Sequence, residues 1–79
     1  MNPALRERIR AACESVVTHA RKLETIDGRF LVARQDEWFI MTDTLTDNGH
    51  SIASDPRITS TARLISHVEG FVENVSKGR

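Results

Sequence analysis

Two apolar runs, Phe30-Leu31-Val32 and Trp38-Phe39-Ile40-Met41, flank a polar stretch Arg34-Gln35-Asp36-Glu37. This is the pattern of a β-hairpin, with strands at 29–35 and 37–42. Successive strand residues point to opposite faces, so unbroken apolar neighbours put apolar groups on both sides of the sheet. A fold built on this hairpin needs cover on both faces, and the flanking segments show where that cover comes from.

Upstream, Leu5, Ile9, Ala12, Cys13, Val16, Ala20 and Leu23 fall at helical spacing, which predicts one helix from Pro3 to about Thr25. Asn2 before Pro3 supplies an N-cap and first-turn proline, and Asp27-Gly28 supplies the stop. Such a helix is about 30 Å long, nearly the width of a domain of this size, so part of it is expected to pack on a second copy. Downstream, Asn48-Gly49 is the favoured dipeptide of a two-residue type I′ turn. It extends the second strand through Thr44-Leu45-Thr46 and predicts a third at 50–53. Ser54-Asp55-Pro56 breaks that strand. Thr59-Ser60-Thr61 offers N-caps for a last helix with Leu64, Ile65, Val68, Phe71, Val72 and Val75 on one side, ending near Lys77-Gly78.

The expected order is α-β-β-β-α: residues 1–79 form a single small α+β domain, a three-stranded antiparallel meander with two helices packed on one face. Two helices cover only one face. At least one of Trp38, Phe39 and Met41 is therefore expected to be partly exposed, and these three are the candidate protein-binding residues, because aromatics and methionine are enriched at interface centres.

At 79 residues the chain is expected to bury only about 60–65% of its unfolded surface, and homodimerisation is the readiest source of further packing. Cys13 is the single cysteine, so no disulfide is available and a reducing, cytoplasmic setting is expected. No apolar run approaches the length of a membrane span, and MNPALRERIR lacks the apolar core of a signal peptide.

The net charge is zero but unevenly spread: seven basic and four acidic groups in 1–35, five acidic and no basic in 36–56, four basic and two acidic in 57–79. Nucleophilic catalysis needs a nucleophile beside a base. Cys13 and His19 are six residues apart, off the three- or four-residue spacing that makes helix neighbours. Asp36-Glu37 sits at a hairpin tip, where carboxylates stay solvated. There is no G-x-S-x-G, P-loop or G-x-G-x-x-G. Asp43, Asp47 and His50 cluster near the turn but miss the calcium-loop pattern, and His67 has no partner at zinc spacing. His19, on the expected apolar stripe, reads as a core or interface histidine. The expectation is a non-enzymatic protein without metal or cofactor.

The order α-β-β-β-α resembles, in predicted topology over most of the chain, the double-stranded RNA-binding domain. That family grips phosphates with a lysine cluster at the start of its last helix. The matching region here reads RITSTARLISH, with Arg57 and Arg63 only, and with Arg6, Arg8 and Arg10 on the first helix these form the candidate nucleic-acid surface. In size, arginine bias and want of catalytic constellations the chain resembles the small accessory proteins that bacteria and their phages or plasmids encode, many of which bind and block a larger host protein. The first expectation is thus a cytoplasmic interaction module, a homodimer acting by stoichiometric binding to a protein partner. The alternative is a nucleic-acid-binding domain.

Overall fold

The computed structural model describes residues 2–19, 21–53 and 60–77. Helix α1 (Pro3–Val17) is followed by strands β1 (Arg21–Thr25), β2 (Phe30–Gln35), β3 (Trp38–Asp43) and β4 (Asn48–Ala53) and by helix α2 (Thr61–Lys77). The strands form one antiparallel sheet in the order β1-β2-β3-β4. The class is the expected α+β with a meander, but the sheet has four strands where the sequence suggested three.

The extra strand comes from the end of the expected helix. α1 starts as foreseen: the Asn2 side chain accepts from the Ala4 N–H at 2.7 Å, with Pro3 in the first turn. It stops at Val17, not near Thr25. The Thr18 hydroxyl donates back to the Ser15 carbonyl (2.9 Å), and the Arg34 guanidinium, reaching across from β2, donates to the Val17 carbonyl (2.9 Å). These contacts satisfy helix-end carbonyls that a continuing helix would have used itself. At 15 residues α1 is about 22 Å long, well short of the 33 Å long axis of the molecule, so helix length gives no ground for a second copy.

The four residues 26–29 turn β1 into β2. The Asp27 carboxylate accepts from the N–H groups of Arg29 (2.8 Å) and Phe30 (2.9 Å), and the Ile26 N–H donates to the Phe30 carbonyl (2.9 Å). The sequence marked Asp27-Gly28 as a helix stop; the same side chain instead closes a hairpin. The β2–β3 hairpin is as expected, with Gln35 opposite Trp38 and Asp36, at φ 53°, in the left-handed region of the tip.

The β3–β4 reversal does not use Asn48-Gly49. Asn48 already pairs with Asp43 and Gly49 with Thr42, so both belong to β4, and the left-handed residue is Asp47 at φ 60°. The buried Asp43 carboxylate fixes the turn upstream. It accepts from Arg29 Nε (2.6 Å) and Nη2 (3.0 Å), from the Leu45 N–H (3.2 Å) and from the Thr46 hydroxyl. These bonds, that of Arg29 foremost, hold the Asp43 carboxyl well below the usual carboxylate range although burial pushes the other way. The Arg29 guanidinium also lies 4.9 Å from the centre of the Phe30 ring.

Both helices pack on the same face. Ile9, Ala12, Cys13 and Val16 of α1, Leu64, Val68 and Val72 of α2, and Ile26, Phe30, Val32, Phe39 and Met41 from the sheet side make the core. Phe30 meets Phe71 edge to face with ring centres 6.3 Å apart. Ser60 caps α2 by accepting from the Arg63 N–H (3.2 Å), one of the caps expected at 59–61. The break expected at 54–56, the cap candidate at 59 and the stop at Gly78 lie outside the described residues.

Cys13 is fully buried, and desolvation, aided by the nearby charges of Glu69 and Glu14, pushes its thiol up to about 12. A thiol this protected is unreactive while the helix stays packed. Labelling with Ellman's reagent at pH 8 is expected to be negligible in buffer and complete within minutes in strong denaturant; rapid labelling of the native protein would show that α1 does not seal the core.

Candidate interaction surface

Strand alternation sorts the sheet into two faces. Phe30, Val32, Phe39 and Met41 point to the helices and are buried. Arg21, Leu23 and Thr25 of β1, Leu31, Ala33 and Gln35 of β2, Trp38, Ile40 and Thr42 of β3, and Gly49 and Ser51 of β4 point the other way. None of this second set packs on the core cluster. Neither helix covers this face, and Leu23 and Trp38 on it are 59% and 52% exposed.

The cross-strand register organises the open face into rows. Leu23, Ala33, Ile40 and Ser51 lie side by side across the four strands; Thr25, Leu31, Thr42 and Gly49 make the next row, and Arg21, Gln35 and Trp38 the row toward the β2–β3 tip. The middle of the face is thus aliphatic, with Trp38 at one margin. Arg21 is the one charged side chain that alternation places there. It is held at the corner by Asp36, with Nη2 to Oδ2 at 3.0 Å, which lowers the Asp36 pKa, chiefly through that hydrogen bond. Depletion of charge from an exposed apolar patch is the compositional mark of an interface core.

Of the three residues proposed from sequence for protein contact, Trp38 alone is on the surface. Phe39 and Met41 are 2% and 1% exposed, under the helices, and the Arg34 guanidinium lies 5.4 Å from the centre of the Phe39 ring. Sequence reasoning passed over Leu23, Leu31, Ala33 and Ile40. Leu23 was hidden because its spacing also fitted the stripe of the first helix; Leu31 and Ile40 were in the hairpin pattern, but only the register shows which parity the helices take.

The candidate nucleic-acid arginines do not form one cationic patch. Arg6 pairs with Glu69 of α2 (3.4 Å), and Arg10 pairs with Glu14 (3.2 Å) and with Glu7. Arg8 is exposed beside the groove between α1 and β1, Arg63 lies in the first turn of α2, and Arg57 is outside the described residues. The fourth strand also departs from the order of the double-stranded RNA-binding domain.

His19 is exposed at the end of α1, where Nδ1 lies 2.7 Å from the Ser15 carbonyl, and is not on a buried stripe. His50 and His67 line one shallow groove with Ser66, Gly70, Phe71 and Asn74, between β4 and α2. Among the described residues no three His, Cys, Asp or Glu side chains gather as a metal site would require, and no helix is long and apolar enough to cross a membrane. No family model, curated protein or solved structure matches the chain.

Proposed function

We propose that the protein is a non-enzymatic interaction module that acts by stoichiometric binding of a protein partner through the open face of its sheet. The observation that carries this reading is the aliphatic, nearly uncharged centre of that face, bordered by two large apolar side chains more than half exposed. A flat apolar surface without buried polar groups or converging titratable ones suits desolvation against another protein surface and offers nothing to activate a substrate. The partner is expected to present its own apolar patch, and the setting is the cytoplasm. In this reading the chain works as the accessory proteins of bacteria, phages and plasmids do, by occupying a surface of a larger protein.

The test is capture from bacterial lysate by immobilised protein, with nuclease treatment, a salt series and a Trp38→Ala control. Retention of a partner after nuclease, little change between about 50 and about 500 mM salt, and loss with Trp38→Ala are the expected results. Release by nuclease or a steep fall of binding with salt would move the reading to nucleic acid and the arginines. A partner held equally well by the Trp38→Ala protein would remove the open face from the account.

A further inference from the structure

Among the described residues no strand pairs with the outer edge of β1, and that edge carries a second, independent pattern. The Ile26–Phe30 pair is hydrogen-bonded, and antiparallel ladders alternate bonded and non-bonded pairs. Lys22 and Glu24 therefore bond across to β2, while Arg21, Leu23 and Thr25 turn their N–H and C=O groups to the empty side of the sheet. Exposed edges are usually blunted by short length, charged side chains, proline, a bulge or a covering segment. β1 is short and charged, but its charges are of both signs and so need not repel a second copy. β1 reads Arg-Lys-Leu-Glu-Thr, without proline or positive φ.

We propose that two copies of the chain associate through this edge, β1 against β1, antiparallel about a twofold axis at Leu23, joining the two sheets into one of eight strands. The strand is self-complementary in that register. Leu23 meets Leu23 of the second copy in a bonded pair, flanked on each side by an Arg21–Thr25 bonded pair. Lys22 meets Glu24 of the second copy twice, in the non-bonded pairs, where opposing side chains come closest. Within one copy Lys22 and Glu24 already lie 3.7 Å apart on the helix side of the strand. The twofold axis thus assembles four side chains in which each charge has an opposite charge along its own strand and across the seam. β4, the other edge, reads Asn-Gly-His-Ser-Ile-Ala, with no carboxylate and no lysine or arginine for such a pairing. On the open face, the two Leu23 side chains join two apolar patches into one. The contact uses the edge and the helix-side charges, and it stands or falls apart from the partner proposed for the open face.

An edge contact is small, so the affinity is expected to be modest. Mass in solution by light scattering, followed to about 1 mM protein, should rise from the 8.9 kDa of one chain toward twice that value. Lys22→Glu sets glutamates against each other twice across the seam, and is expected to weaken association at least about tenfold. Glu24→Lys does the same with lysines, and an equimolar mixture of the two variants restores both opposite-charge pairs across the seam and should recover the dimer. Because Glu24 also accepts the Ser15 hydroxyl at 2.5 Å, its replacement can act on folding. Thr25→Pro is the independent variant: it removes an N–H that faces the empty edge and leaves the ladder to β2 intact, as edge prolines do. Circular dichroism close to wild type with loss of the dimer is its expected result. A wild-type mass that stays at one chain, a Thr25→Pro protein that dimerises unchanged, or a folded mixture that fails to recover association would overturn the proposal.

Discussion

Replacing Asp43 with alanine is expected to lower the midpoint of thermal unfolding by about 10–15 °C, the larger of two stability effects outside the apolar core. The carboxylate is fully buried and receives four hydrogen bonds, two of them from Arg29, whose own side chain remains 32% exposed. Alanine leaves the Leu45 N–H and the Thr46 hydroxyl without their acceptor and frees the β3–β4 turn. The guanidinium can still reach water, which keeps the loss below that of stranding a fully buried cation. Asp43→Asn preserves the shape and part of the acceptor capacity, and its effect should be about half. The two variants also test a pH dependence of definite sign. Because the folded carboxyl is held below its ordinary value, the unfolded chain binds the proton more tightly. The stabilisation is thus complete above about pH 4 and is lost as pH falls below it. Urea unfolding between pH 7 and pH 2 should show the wild type losing stability on acidification more steeply than Asp43→Asn. Parallel pH profiles would mean that Asp43 does not carry the acid sensitivity.

The Asp43 turn also shows why part of the fold was hidden in the sequence. Asn48-Gly49 has the residue types of a tight hairpin turn, and local propensity favours a reversal there. The chain turns at 44–47 because a carboxylate, an arginine 14 positions earlier and a threonine converge on one corner, a tertiary contact that residue order does not display. β1 was hidden for a related reason. Val16 and Leu23 read as part of one helical stripe, but Leu23 is 59% exposed on the open side of a strand. The helix stops where side chains from Thr18 and β2 satisfy its last carbonyls. What depended only on pattern within a segment was legible: the N-cap of α1, the central hairpin, the apolar side of α2 and the single open face. That face followed from counting, since unbroken apolar neighbours need two covers and the chain has helices for one.

The neighbours Trp38 and Phe39 give that reasoning its sharpest consequence. They are adjacent in sequence and opposite in orientation: Phe39 is 2% exposed in the core and Trp38 is 52% exposed on the open face. Phe39→Ala removes a ring buried in the core between the sheet and the helix layer and is expected to cost about 3–5 kcal/mol, the range for a buried aromatic whose site cannot fully collapse. Since the net stability of a domain this small lies near the low end of about 5–15 kcal/mol, much of the Phe39→Ala protein should be unfolded at 37 °C. Trp38→Ala deletes a side chain whose exposed half gains nothing from folding, and should cost less than about 1 kcal/mol. The effects on binding should run in the opposite order. Truncating an aromatic anchor at an interface costs about 2 kcal/mol or more, roughly thirtyfold in affinity, so Trp38→Ala should retain its circular dichroism and urea midpoint while losing the partner. Tryptophan fluorescence supplies a check that needs no partner: the emission of the wild type should be quenched readily by acrylamide in the native state, as expected for an indole in contact with water. If Trp38 resisted quenching, or if its removal destabilised the protein as much as removal of Phe39, the two faces of β3 would be interchanged and the interaction surface would have to be sought elsewhere.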